Sequence, residues 1–349
     1  MTNNSNLWRP YSESYKVNPY NNYEQMRLEN PLYKITENTW MVLSYELVKK
    51  FSSDTNLSMN KLGKDIRKSF PVLSRMASNW LFLIDGQKHF KFKKLLSKHW
   101  DINQLKNHTE DTCQQLVDEI SSSGIDIVSN YAELLPTYTM LKFFNQDLRL
   151  ANEVISYSKD LLKIIEPFHR QSELRKMEDA CIKFKNLIIN HLHNSQNTYF
   201  NYLYESLDAD KSKEEVFASL IIMIYVTSIH TSTSQLALSI NAILSNEGQK
   251  TYLIGNLEKK HREIIQELVR FDSPIQLSVR IVSDQIRVGN LEIKKNQKLI
   301  LNFGAANHDS NNFENANFLN LSNNFQENLA FGIGTHRCFG ERLARYNLF

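Results

Sequence analysis

The chain has 349 residues, 42% of them hydrophobic and 23% charged, with a net charge of +3. That balance is ordinary for a globular protein and too weakly basic to argue for nucleic-acid binding. The stretch from Met1 to Asn30 is polar, rich in Asn and Tyr, and holds no apolar core of a secretion signal. The longest apolar run, Leu220 to Val226, is too short to span a bilayer by itself. The expectation is therefore a cytoplasmic protein with no membrane and no nucleic-acid partner.

In chain order, Tyr20 to Asn30 reads as a helix, Leu32 to Leu43 as a short hairpin and Tyr45 to Phe51 as the start of another helix. Asn56 to Asn79 reads as a loop. The middle is mainly helical: Gln87 to Trp100 is basic and amphipathic, and Asn103 to Ser121 and Met177 to His193 carry apolar stripes. Ser212-Lys213-Glu214-Glu215 fits a capping box that opens a helix running to about Leu244. Apolar nearly all round from Phe217 to Val226, that helix is expected to cross the protein's centre. Glu258 to Arg270 reads as a helix ended near Asp272-Ser273-Pro274. Gln276–Val282, Gln285–Val288 and Lys298–Phe303 read as strands. No linker or repeat divides the chain.

Three features carry chemistry. Cys338 lies in Phe331-Gly332-Ile333-Gly334-Thr335-His336-Arg337-Cys338-Phe339-Gly340, ahead of a helix-like run from Glu341 to Arg345. A thiolate there gains from a helix macrodipole and free backbone N–H groups. Gly332, Gly334 and Gly340 permit a sharp turn and the close approach of a flat ligand. Glu267 and Arg270 put a carboxylate and a guanidinium on one helix face. His89 and Lys93 share a helix with Lys88, Lys91, Lys94 and Lys98, which fits either a solvated face or a functional one. Cys113 and Cys181 sit at helical spacing with apolar residues and read as small core side chains. No CxxC pair suggests zinc or a disulfide framework. His191 and His193, two apart on a helix, read as surface residues.

The spacing Phe-Gly-x-Gly-x-His-x-Cys-x-Gly resembles the haem-ligand signature of the cytochrome P450 superfamily, of soluble bacterial type. Glu267-Leu268-Val269-Arg270 matches its Glu-x-x-Arg motif, and the resemblance extends from Tyr20 onward. It implies a mainly α fold with small β-sheets, one domain over 1–349, without the family's usual C-terminal β-pieces. The helix after Cys338 is expected to make about three turns, on the order of 18 Å, leaving Leu343, Leu348 and Phe349 short of cover. By the same resemblance the cofactor is haem b, with Cys338 as its axial thiolate and metal ligand. Phe331 and Gly332 lie near the haem, and Arg280, His336, His89 and Lys93 hold its propionates. Lys93 stands where the family has arginine, so the charge stays but the fork is lost. Phe313 to Asn323 lacks the arginine that the family usually places there.

The family's oxygen-activating motif, Ala/Gly-Gly-x-Asp/Glu-Thr, aligns best with Ser228-Ile229-His230-Thr231-Ser232. Ile229 then replaces glycine, Thr231 the acid and Ser232 the threonine; a shift by one residue puts Thr233 in the last place. Ser232 and Thr231 are the catalytic candidates for proton handling, and His230 is a further relay through water. Back-bonding of these hydroxyls to helix carbonyls is the alternative. The implied activity is a monooxygenase inserting one oxygen atom into an apolar organic substrate, with electrons from a ferredoxin or flavodoxin. Its pocket would draw on Asn56–Asn79, on helices around residues 145–195 and on Ile224–Ser232. The altered central helix also suits a peroxide-using or non-oxygenating haem enzyme, or a non-catalytic haem-binding relic or binding module.

Overall fold

The computed structural model describes residues 7–59, 69–120, 124–166, 169–209, 212–323 and 326–349, so part of the expected pocket segment Asn56–Asn79 lies outside the described residues. Helix α1 (Glu13–Val17) is capped by Ser12, whose hydroxyl accepts from the Tyr15 N–H. It is followed by α2 (Tyr20–Glu29), the hairpin β1 (Leu32–Thr36) and β2 (Thr39–Val42), α3 (Tyr45–Ser52) and the short β3 (Leu57–Ser58). Then come α4 (Pro71–Ala77), α5 (Gly86–Ser97), α6 (Ile102–Glu119), α7 (Leu134–Phe143), α8 (Ala151–Leu162), α9 (Gln171–Asn194), α10 (Thr198–Glu205) and α11 (Lys213–Leu244). The chain continues through α12 (Glu247–Phe271), β4 (Leu277–Val282), β5 (Ile286–Val288), β6 (Leu291–Ile293), β7 (Lys298–Asn302) and α13 (Phe303–Asn307), and ends with α14 (Glu341–Tyr346).

Three expectations change. The segment read as a loop contains α4, which begins on a proline in the first turn. No local side chain caps it. Instead the Glu178 carboxylate on α9 accepts from Val72 N (3.0 Å) and Leu73 N (2.6 Å), a partner 106 and 105 residues away. The helix read from Glu258 begins eleven residues earlier, at Glu247, and is kinked at Lys260, where φ is −127°. The helix after Cys338 is six residues long, about 9 Å rather than three turns. Leu343 is buried in the core, Leu348 packs beside Leu116 and Leu236, and only Phe349 is mostly exposed.

The chain clusters into two compact units, Met1–Met59 with Leu238–Cys338, and Asn60–Ala237 with Phe339–Phe349. The first holds a five-stranded sheet in the order β1-β2-β7-β4-β3, antiparallel except for β2 beside β7, and a separate β5-β6 hairpin. Its strands obey the period of two. Trp40, Val42, Leu299 and Leu301 pack on Val48 and Phe51, while Met41 and Ile300 turn to Tyr23 and Met26 on the other face. In the second unit every residue of α11 from Phe217 to Val226 is buried, surrounded by Trp80, Met140, Phe144, Phe184 and Phe200. By length and composition α11 could cross a membrane, but 72% of its most apolar window is buried inside the protein, as in a core helix.

Candidate functional site

The cysteine loop is a tight, backbone-determined turn. Gly332 N donates to Leu329 O (2.9 Å), Arg337 N to Gly334 O (3.1 Å), and Cys338 N to Phe331 O (2.8 Å). Gly332 and Gly334 have φ of +66° and +76°, the left-handed region that costs other residues energy. At Gly334 space is also limiting: an added Cβ would lie 2.8 Å from Ser53 Oγ and 3.3 Å from Ser52 O. Gly334→Ala is therefore expected to destabilise the loop by about 2 kcal/mol, read as a lowered thermal midpoint; an unchanged midpoint would mean that the loop relaxes freely. The result of the turn is that Cys338 is exposed, whereas Cys181 is fully buried and Cys113 half-buried. Cys113 Sγ lies 3.3 Å from the Tyr131 hydroxyl, and burial pushes the Cys181 thiol far up. Helix α14 is short and starts three residues after Cys338, so it offers the thiol no long helix dipole.

The same unit contains three further expected features. Arg280 is buried on β4, opposite Leu299, with its Nη1 donating to Ser278 Oγ and to Val279 O. His336 closes a short 3₁₀ turn with Gly334 and is half-buried, as are Phe331 and Gly332. Glu267 and Arg270 are buried and paired through two bonds of 2.7 and 2.8 Å. Arg270 also donates to the carbonyls of Asn307 (2.8 Å), Ala316 (2.8 Å) and Phe318 (3.2 Å), and Glu267 accepts from Asn320 N (3.0 Å). The stretch from Phe313 to Asn323 thus needs no arginine of its own, because Arg270 satisfies its carbonyls.

The second unit holds the other candidates. On α5, His89 is buried and Lys93 half-buried, while Lys91, Lys94 and Lys98 are exposed, so one helix separates an inward pair from a solvated basic face. Lys91 on that face pairs with Asp208 at 2.7 Å. On α11, Ile229 is fully buried and Ser232 and Thr233 nearly so; Thr227 and Ser234 are exposed, and Ser228, His230 and Thr231 are half-buried. Thr231 Oγ1 donates to Thr227 O (2.6 Å) and Thr233 Oγ1 to Ile229 O (2.9 Å). The His230 ring bonds to the Ile155 carbonyl, and its Nε2 is buried without a hydrogen-bond partner. Burial pulls the His230 pKa down, opposed by the Ile155 bond and assisted by Lys159. The ring is therefore neutral at pH 7, with its proton on Nδ1. His191 is half-buried and bonded to Phe144 O (3.0 Å) rather than free on the surface, while His193 is exposed.

The donor chemistry fits a metal that brings most of its own ligands. Among the described residues no group of three or more His, Cys, Asp or Glu could hold a bare ion. What the chain offers is one exposed sulfur, presented by a turn that places glycine beside it. A thiolate-ligated porphyrin iron needs one such protein donor.

The comparisons agree. The family model for cytochrome P450 matches residues 261–349. The biotin biosynthesis cytochrome P450 of Bacillus subtilis (strain 168) is 21% identical over 96% of this chain and 87% of its own length. The 6-deoxyerythronolide B hydroxylase of Saccharopolyspora erythraea is 21% identical with the same coverage. Among solved structures, P450BioI in complex with an acyl carrier protein ligated with hexadec-9Z-enoic acid aligns with a TM-score of 0.88 at 21% identity, over 97% of this chain and 90% of that one. CalO2 aligns with a TM-score of 0.89 at 16% identity, over 98% and 88%. The segment with the Glu267–Arg270 pair and the Cys338 turn is thus similar to cytochrome P450, and the fold of nearly the whole chain is that of the solved P450 structures.

Proposed function

We propose that the protein is a haem-thiolate monooxygenase that inserts one oxygen atom into an apolar organic substrate. The observation that carries this is the exposed Cys338, aimed by a turn whose Cys338 N–Phe331 O bond (2.8 Å) and glycine geometry leave the sulfur as a single protein donor. Relatives named as a 6-deoxyerythronolide B hydroxylase, a vitamin D(3) 25-hydroxylase and a steroid C26-monooxygenase act on large apolar molecules, which supports the substrate class. When bound, thiolate-ligated haem b supplies reductive cleavage of dioxygen, with one oxygen atom entering the substrate and the other leaving as water with two protons and two electrons.

The residues divide that work. Cys338 would supply the sulfur ligand to the haem iron, with Phe331 and Gly332 closing the turn around it. Arg280, His336, His89 and Lys93 are the residues offered for the two carboxylate substituents, through charge or hydrogen bonds. Of the two hydroxyls expected to handle protons, Thr231 is half-buried and Ser232 buried; Thr231 Oγ1 back-bonds to Thr227 O (2.6 Å), which leaves its oxygen as an acceptor that can take the role. His230 Nε2, a neutral acceptor on the next residue, can take a proton through water. The exposed face with Lys91, Lys94 and Lys98, and Phe90 among them, suits an acidic ferredoxin or flavodoxin. A cytoplasmic location completes the reading.

The test is a ferrous–carbon monoxide difference spectrum. The red-shifted thiolate band is expected in the purified protein and should be missing from Cys338→Ala. No such band in the wild-type protein, or its persistence in the variant, overturns the assignment.

A further inference from the structure

We propose that Trp100 is a positioning residue for the Cys338 thiolate, acting through Phe339. This inference rests on the reading of Cys338 as the haem ligand. Phe339 follows Cys338 by one peptide bond, and its ring packs on the Trp100 indole at 5.1 Å between centroids. Trp100 is itself fixed by Phe143 (5.1 Å) and Tyr199 (5.7 Å), both with edge-to-face geometry. Tyr199 is locked in turn, buried with its hydroxyl donating to Leu96 O at 2.8 Å. The clamp therefore joins the end of α5, α7 and α10 to the residue beside the ligating sulfur.

A second observation points to the same residue. His99, immediately before Trp100, has φ of +62°, a left-handed conformation that a non-glycine side chain adopts at a cost. Its ring packs against Tyr202 at 4.4 Å, which holds the strained turn. The turn ends α5 and carries Trp100 into the aromatic cluster before Asp101 caps α6 through Asn103 N and Gln104 N. Strain kept at one residue to present the next is typical of a functional constraint. Because packed interiors do not deform smoothly, a change in Trp100 is expected to reach Cys338 through the Phe339 backbone. On the other side Cys338 N is pinned to Phe331 O (2.8 Å).

The experiment compares Trp100→Ala, Trp100→Phe and Phe217→Leu in the haem-loaded protein. Phe217 is buried in the same core, and its ring contacts are to Phe200 and Tyr204, outside the clamp. It therefore controls for general loosening. The readouts are the ferrous–carbon monoxide spectrum, the haem reduction potential and the rate at which the thiolate band converts to the thiol form. Trp100→Ala should speed that conversion roughly fivefold or more and shift the potential. Trp100→Phe should restore most of the wild-type behaviour, and Phe217→Leu should retain it. If Trp100→Ala does not fold, Phe339→Leu interrupts the same contact from its other side and should give the same shift. A wild-type spectrum and potential in Trp100→Ala or Phe339→Leu, or an equal change in Phe217→Leu, overturns the proposal. Absence of the thiolate band from the wild-type protein would instead overturn the assignment of Cys338, and this proposal with it.

Discussion

Replacing Arg270 with alanine is expected to destabilise the protein by about 3–5 kcal/mol, the range for breaking a buried ion pair by removing one partner. The side chains of Arg270 and Glu267 are 3% and 6% exposed. Without Arg270, Glu267 keeps the Asn320 N–H as a partner but loses the charge that balances it. The carbonyls of Asn307, Ala316 and Phe318 lose their donor as well, and each buried acceptor left unsatisfied is costly. Lysine keeps the charge but cannot fork to two carboxylate oxygens while serving three carbonyls, so Arg270→Lys should recover only part of the loss. The double variant Glu267→Gln, Arg270→Met removes both charges and should cost less than Arg270→Ala alone. Urea unfolding monitored in the first unit measures all three. A loss below about 1 kcal/mol for Arg270→Ala would show that the pair behaves like a surface contact.

Acid should weaken the same unit through His308. This ring is buried, stacked on Tyr20 at 3.8 Å, with Nε2 2.8 Å from Phe271 O and Nδ1 3.2 Å from Asn317 Oδ1. Burial pulls its pKa from 6.5 to about 4; the Phe271 and Asn317 bonds oppose the shift, and the nearby Arg270 and Arg27 assist it. A histidine with a depressed folded pKa stays neutral when folded while the unfolded chain takes up a proton. Its contribution is complete above pH 6.5 and is lost as the pH falls toward about 4. The full loss is about 3 kcal/mol. Asp272 works in the opposite sense: burial raises its pKa, although its bond from the Tyr20 hydroxyl limits the rise, so it favours the folded state at low pH and loses that contribution as the pH climbs. Comparing wild type with His308→Gln separates the two. The wild-type advantage should grow between pH 4 and 6.5, and stability curves that stay parallel across that window would refute the assignment.

Much of the site was legible because its partners are close in sequence. The cysteine turn is closed by bonds among Leu329, Phe331, Gly334, Arg337 and Cys338, and Gly332 and Gly334 mark positions where φ is positive, whereas Gly340 caps α14 at φ −86°. Glu267 and Arg270 are one helical turn apart, so their pairing follows from helix geometry. The buried stretch from Phe217 to Val226 follows from composition, since a helix apolar on every side has no face to give to water. The distal hydroxyls were harder. Successive helix residues differ by about 100° around the axis, so a one-residue ambiguity in register turns a side chain from the accessible face to the core. That separates Thr231 from Ser232, and it also buries Ile229 rather than placing it among the accessible residues.

The sequence alone determined the cysteine turn, the Glu267–Arg270 pair, the central helix and the family resemblance, because each depends on contacts within a few residues. Only the tertiary structure could supply the Glu178 cap on α4, the service of Arg270 to the carbonyls of Ala316 and Phe318, and the packing of Trp100 on Phe339. In each of those cases a charged or aromatic side chain satisfies a group tens to hundreds of residues away. Spacing carries no trace of such a partner until the chain has closed around it.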